Sequence, residues 1–111
     1  MDLNELTDRI ETVSANYAKI FGFTRDDTWF LLKLQEEVGE LTQAHLRISG
    51  QARAKGRTQE QIGEDFRSEI ADVLCQILLL ARHHGIDPVE AIDAKWMKYH
   101  PDNPNRRNQA E

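Results

Sequence analysis

Two pairs of carboxylates stand out for their spacing: Glu37 and Glu40 within KLQEEVGEL, and Glu69 and Asp72 within SEIADVL. Each pair is separated by three residues, so on a helix both side chains project from nearly the same face. Two such helices packed side by side would gather four acids at one spot. Like charges there disfavour one another's ionised form unless cations compensate them. Hard divalent ions with oxygen ligands supply that compensation, Mg2+ above all, with Mn2+ as a substitute. The pattern points to a metal-dependent site that handles phosphates.

An acidic pair on a helix is usually a solvated face, so position has to carry the argument. Projected at about 100° per residue, Glu37 and Glu69 border the apolar stripes of their helices, with Glu40 and Asp72 one step further out. Asp72 also interrupts a strongly apolar segment, where a solvated face is hard to build. Glu36 adds a fifth carboxylate on the outer flank, either supporting the ligands, acting as general base toward water, or simply exposed. Lys33 and Trp29 share that flank at spacings of three and four. A lysine there can meet a phosphate oxygen and an indole can stack on a base. The plainer alternatives are a surface lysine and a packing tryptophan. His45 falls on an apolar stripe and reads as a partly buried packing residue, while His83 and His84 suit the negative end of a helix. No Glu-x-x-His occurs, against a di-iron bundle, and there is no Walker-type glycine loop.

The elements that must position these groups are helices from end to end. Asp2 and Glu5 open the first, Gly22 ends it, and its stripe is Leu3, Leu6, Ile10, Val13, Tyr17 and Ile20. The second is expected from near Thr24 to Ser49, with the stripe Leu31, Leu34, Val38, Leu41, His45 and Ile48, before Gly50. After the basic loop GQARAKGR, Thr58 and Gln61 form a capping box for a third helix ending at His84, weakened early by Gly63. Asp87, Pro88 and Glu90 start a fourth, expected to reach Tyr99 before Pro101. The fold class is therefore all-α, a four-helix bundle over residues 1–100 followed by a polar tail, 101–111. The run VLCQILLLA is apolar almost all round. With Cys75 and Leu79 directed away from the Phe66, Ile70, Val73, Ile77 stripe, that surplus predicts a subunit contact through the central helices.

With 111 residues, 40% hydrophobic and 30% charged, the chain suits one globular domain. It has no stretch of the roughly 20 apolar residues that a membrane span needs. Its N-terminus lacks a basic and apolar leader pattern, and its single cysteine, Cys75, lies in an apolar run, so a cytoplasmic setting is expected. A net charge of −5 disfavours broad nucleic-acid binding but not one nucleotide carried with Mg2+.

Glu36-Glu37-x-x-Glu40, a gap of 28 residues, then Glu69-x-x-Asp72 resembles the signature of the MazG-like all-α nucleoside triphosphate pyrophosphatases. The segments LLKLQEEVGELTQA and EIADVLCQILLLARHHGID are similar to that superfamily's two central helices, and the likeness covers about residues 24 to 99. The resemblance implies hydrolysis of a nucleoside triphosphate between its α- and β-phosphates, giving the monophosphate and pyrophosphate. It implies that Glu37, Glu40, Glu69 and Asp72 hold Mg2+, that Glu36 helps activate water, and that the chain forms a homodimer or a tetramer. One departure is visible. Relatives commonly carry a lysine and, four residues on, an asparagine near the end of the last helix. Here Lys95 matches the lysine but Tyr99 stands at the asparagine position, leaving Asn103, Arg106 and Arg107 as substitutes. The alternatives are phosphoribosyl-ATP pyrophosphohydrolysis and a non-catalytic, metal-binding helical assembly module.

Overall fold

The computed structural model describes residues 1–104, and among them there is no strand. Helix α1 spans Leu3–Phe21, α2 Asp27–Ile48, α3 Gln59–His83 and α4 Pro88–Trp96, followed by a 3-10 turn at Met97–Tyr99. None of these helices is long and apolar enough to cross a membrane. The pair Arg106 and Arg107 lies outside the described residues.

Local chemistry sets the helix ends. Asp2 accepts from the Glu5 N–H at 2.8 Å, and Gly22 closes α1 at φ +71°, a left-handed conformation that glycine adopts without a Cβ penalty. The second helix begins at Asp27 rather than near Thr24. Asp26 keeps an extended backbone and uses its carboxylate to accept from the Trp29 N–H at 2.8 Å, which makes it the cap. Both halves of the Thr58–Gln61 box are formed, at 3.1 and 3.0 Å. Asp87 caps α4 through the N–H groups of Val89 and Glu90. This helix is shorter than the expected run to Tyr99, because His100 is extended ahead of Pro101 and the final turn tightens to 3-10.

Helices α2 and α3 form an antiparallel hairpin, the main contact of the molecule. Phe30, early in α2, stacks on His83 at the end of α3, and His45, late in α2, lies 6.3 Å from the Phe66 ring early in α3. The buried residues of α2 are Phe30, Glu37 and Ala44, spaced by seven. On α3, Ile62 is buried and Glu69 and Gln76 half-buried at the same spacing. Such a repeat is that of a coiled-coil seam, and Glu37 and Glu69 reach across it obliquely, about one to two turns out of level. Helix α1 covers the flank of α3 that carries Leu78 and Leu79. Arg25 fixes the α1–α2 connection by forking onto Glu11 at 2.6 and 2.9 Å and reaching Ser14 at 3.0 Å. Arg82 ties α3 to Asp8 on α1.

Three expectations about faces are corrected. The predicted α2 stripe is rotated from the real seam, so Leu31, Val38, His45 and Ile48 are exposed, and His45 meets Phe66 from the open side rather than as a partly buried residue. Leu79, expected at a subunit contact, is 2% exposed, because α1 covers it. The apolar surplus of α3 lies instead on Ile70, Leu74 and Ile77, with Leu74 56% exposed. On α1 the stripe is likewise open, and Val13 is 71% exposed.

Candidate metal centre

The α2–α3 seam brings one carboxylate oxygen from each of Glu37, Glu40 and Glu69 within 4.8 Å of one another. Glu37 is buried, Glu69 half-buried and Glu40 exposed, so the cluster opens from the seam toward solvent. The enclosed Oε2 atoms of both Glu37 and Glu69 lack any hydrogen-bond partner. Buried carboxylate oxygens are normally satisfied, and two orphans within one acidic cluster fit oxygen ligands awaiting a cation.

Their acid–base state agrees. Burial pushes the Glu37 carboxyl up to about 7, reinforced by the charges of Glu40 and Asp72 and opposed by Lys33. Glu69 is raised for the same leading reason, with Glu40 and Asp72 again adding repulsion. Asp72 is exposed and stands outside the close triad, yet near enough for its charge to act on both buried acids. A divalent cation would offset this repulsion and restore the ionised forms, so the residues fit such an ion.

Lys33 Nζ lies 3.4 Å from both Glu36 oxygens and 3.7 Å from Glu37. Burial works to lower its pKa, but the charges of Glu36 and Glu37 outweigh this and hold the ammonium above the usual lysine value. Glu36 is exposed and engaged by Lys33 at the rim. Trp29 is half-buried, with its ring 5.0 Å from Phe30 and 5.5 Å from Phe23. Lys95 is exposed on α4, and it belongs neither to the acidic triad nor to the lining of the groove beside it.

Beside the acids, α1, α2 and α3 line a half-open groove of about 370 Å3 that includes Trp29, Lys33, Asp72 and Gln76. Tyr17 and Ser14 line it from α1. The sequence pattern marks Tyr17 only as part of the α1 stripe and does not mark Gln76. A usable signal existed for Gln76, which follows Asp72 by four residues and Glu69 by seven and so belongs to the same side of α3. Comparison with known protein families, with curated proteins and with solved structures returns no match for this chain.

Proposed function

We propose that this protein is a Mg2+-dependent nucleotide pyrophosphohydrolase, converting a free deoxy or non-standard nucleoside triphosphate to the monophosphate and pyrophosphate in nucleotide-pool house-cleaning. The observation that carries this reading is the pair of enclosed, unpartnered oxygens on Glu37 and Glu69, set beside a cavity large enough for a base. The MazG-like spacing of the same acids in the sequence adds to it.

In this reading Glu37, Glu40 and Glu69, with Asp72 beside them, hold the divalent ion. When bound, the ion supplies charge neutralisation at phosphate oxygens and a lowered pKa for coordinated water. Lys33 keeps Glu36 and Glu37 in place and offers its ammonium to a phosphate oxygen at the rim. Glu36, exposed at that rim, accepts a proton from the attacking water. Trp29 gives the base a stacking surface in the cavity. The working unit is a homodimer through the central helices, since Ile70, Leu74 and Ile77 form an open apolar row on α3. That row runs into a cleft of about 550 Å3 that includes Leu31, Leu32 and Leu80.

The test is a panel of ordinary, deoxy and damaged triphosphates, with phosphoribosyl-ATP as a separate arm, followed for pyrophosphate with Mg2+. The expected result is turnover that Glu40→Gln lowers on the order of 100-fold. Mg2+ binding with no pyrophosphate from any nucleotide would leave only a structural metal module.

A further inference from the structure

We infer that Arg47 grips the terminal phosphate of the nucleotide and so makes the site select triphosphates over diphosphates. This deepens the nucleotide reading above and rests on it. Arg47 follows Glu40 on α2 by seven residues and Lys33 precedes Glu40 by the same interval, so all three share one face of the helix. Arg47 is half-buried, and its side chain makes no hydrogen bond or ion pair among the described residues. Its Nε is enclosed, whereas both Nη groups reach the surface. Judged by the pairing of Phe30 with His83 and of His45 with Phe66, the acid level with it on α3 is Asp65. That carboxylate is already taken by the Arg57 guanidinium, at 2.6 and 3.0 Å. A guanidinium only donates, so one that is partly desolvated and unmatched is completed by an anion.

Position along the hairpin decides which anion. From α2 the groove is lined by Trp29 and Lys33, on the N-terminal side of Glu40, whereas Arg47 stands on the C-terminal side. A nucleotide with its base in the groove and its α- and β-phosphates at the acidic cluster therefore extends its third phosphate toward Arg47. The rise from Glu40 to Arg47 is about 10 Å, and helix side chains lean toward the N-terminus, which carries the guanidinium back over that interval. The local charge has the right sign. Between Glu40 and Glu60 the sequence has no acid, and it carries Arg47, Arg53, Lys55 and Arg57. The planar fork of arginine matches two oxygens of a terminal phosphate. A diphosphate ends at the cluster and leaves the fork empty.

The test pairs a change in the protein with a change in the length of the phosphate chain. Calorimetry with Mg2+ at fixed ionic strength compares the α,β-methylene analogues of dATP, dCTP and dUTP with the α,β-methylene diphosphates of the same nucleosides. The wild type is expected to bind its preferred triphosphate about 30-fold more tightly than the matching diphosphate. In Arg47→Gln the two become equal within about threefold, while diphosphate and Mg2+ affinities are unchanged. Arg47→Lys keeps the charge without the fork and falls between. Arg53→Gln, an equal loss of charge on the exposed loop, keeps the wild-type ratio within about twofold. Melting curves establish folding, and should Arg47→Gln not fold, Arg47→Lys decides by a ratio lowered at least about threefold. A wild type that does not prefer the triphosphate, a ratio unchanged in the folded Arg47 variants, or an equal loss in Arg53→Gln overturns the assignment of Arg47 alone. Failure of every nucleotide to bind the wild type overturns the nucleotide reading beneath it.

Discussion

Glu37 and Glu69 meet obliquely across the α2–α3 seam, each with Oε2 enclosed and unpartnered. A seam at seven-residue spacing ordinarily takes aliphatic side chains at such positions, as it does at Ala44 and Ile62. Two acids there oppose the folding of the metal-free chain. A divalent cation held by the cluster would relieve that opposition.

The pH dependence of stability follows from it. Glu37 is raised from 4.5 to about 7, so its contribution is fully present below the unfolded value and is lost as pH rises through about 7. The metal-free protein should therefore lose roughly 2–3 kcal/mol between pH 5 and pH 8 from this group. Urea unfolding in a chelating buffer at the two pH values measures this. Glu37→Gln is expected to flatten the difference, and a wild type more stable at pH 8 than the variant would be the wrong sign.

Cation binding should reverse the effect. At pH 8 in chelator, Tm is expected to rise on adding excess Mg2+ or Mn2+, since an ion held only by the folded state stabilises it by mass action. Glu40→Gln and Glu69→Gln should each blunt the rise. A Tm indifferent to either ion would count against the centre.

Arg25 makes a separate prediction about scaffold. It holds Glu11 below the ordinary carboxylate range, chiefly through their hydrogen bond, and fixes the turn that leads to Trp29. Arg25→Ala should destabilise the chain by about 1–2 kcal/mol, a part-buried charged hydrogen bond being worth somewhat more than a surface pair. The denaturation midpoint reads this directly, and Mg2+ affinity should change little.

Self-association is tested on the open row of α3. Leu74→Glu with Ile77→Glu should convert a sedimenting dimer to monomer, because both side chains are exposed within one chain and their change disturbs no internal contact strongly. A wild type that sediments as a monomer at micromolar concentration would remove the dimer from the account.

Apart from the start of α2 and the end of α4, helix boundaries were readable from the sequence to within a residue because each depends on nearby atoms. Thr58 with Gln61, Asp87 with Pro88, and Gly22 all act within a few residues of themselves. Helix faces were harder. The stripe through Leu31, Val38 and His45 is as apolar as the true seam, and only the packing of α3 decides that Phe30, Glu37 and Ala44 turn inward. Spacing alone placed Glu37 at the border of a stripe, whereas it lies on the seam itself. Leu79 was misplaced for a different reason: its cover comes from α1, a contact that periodicity within α3 does not encode. Of the four acids singled out by spacing, Glu37, Glu40 and Glu69 converge, and Asp72 stays at the cavity rim.

The most direct measurement is a calorimetric titration of the protein with Mn2+ at pH 6 and pH 8, repeated in buffers of different ionisation enthalpy. Binding is expected to be saturable and tighter at pH 8, with net proton release at pH 6 as Glu37 ionises, and both signals should be lost in Glu37→Gln. Binding of equal strength in that variant, or no binding at pH 8, would contradict the metal centre.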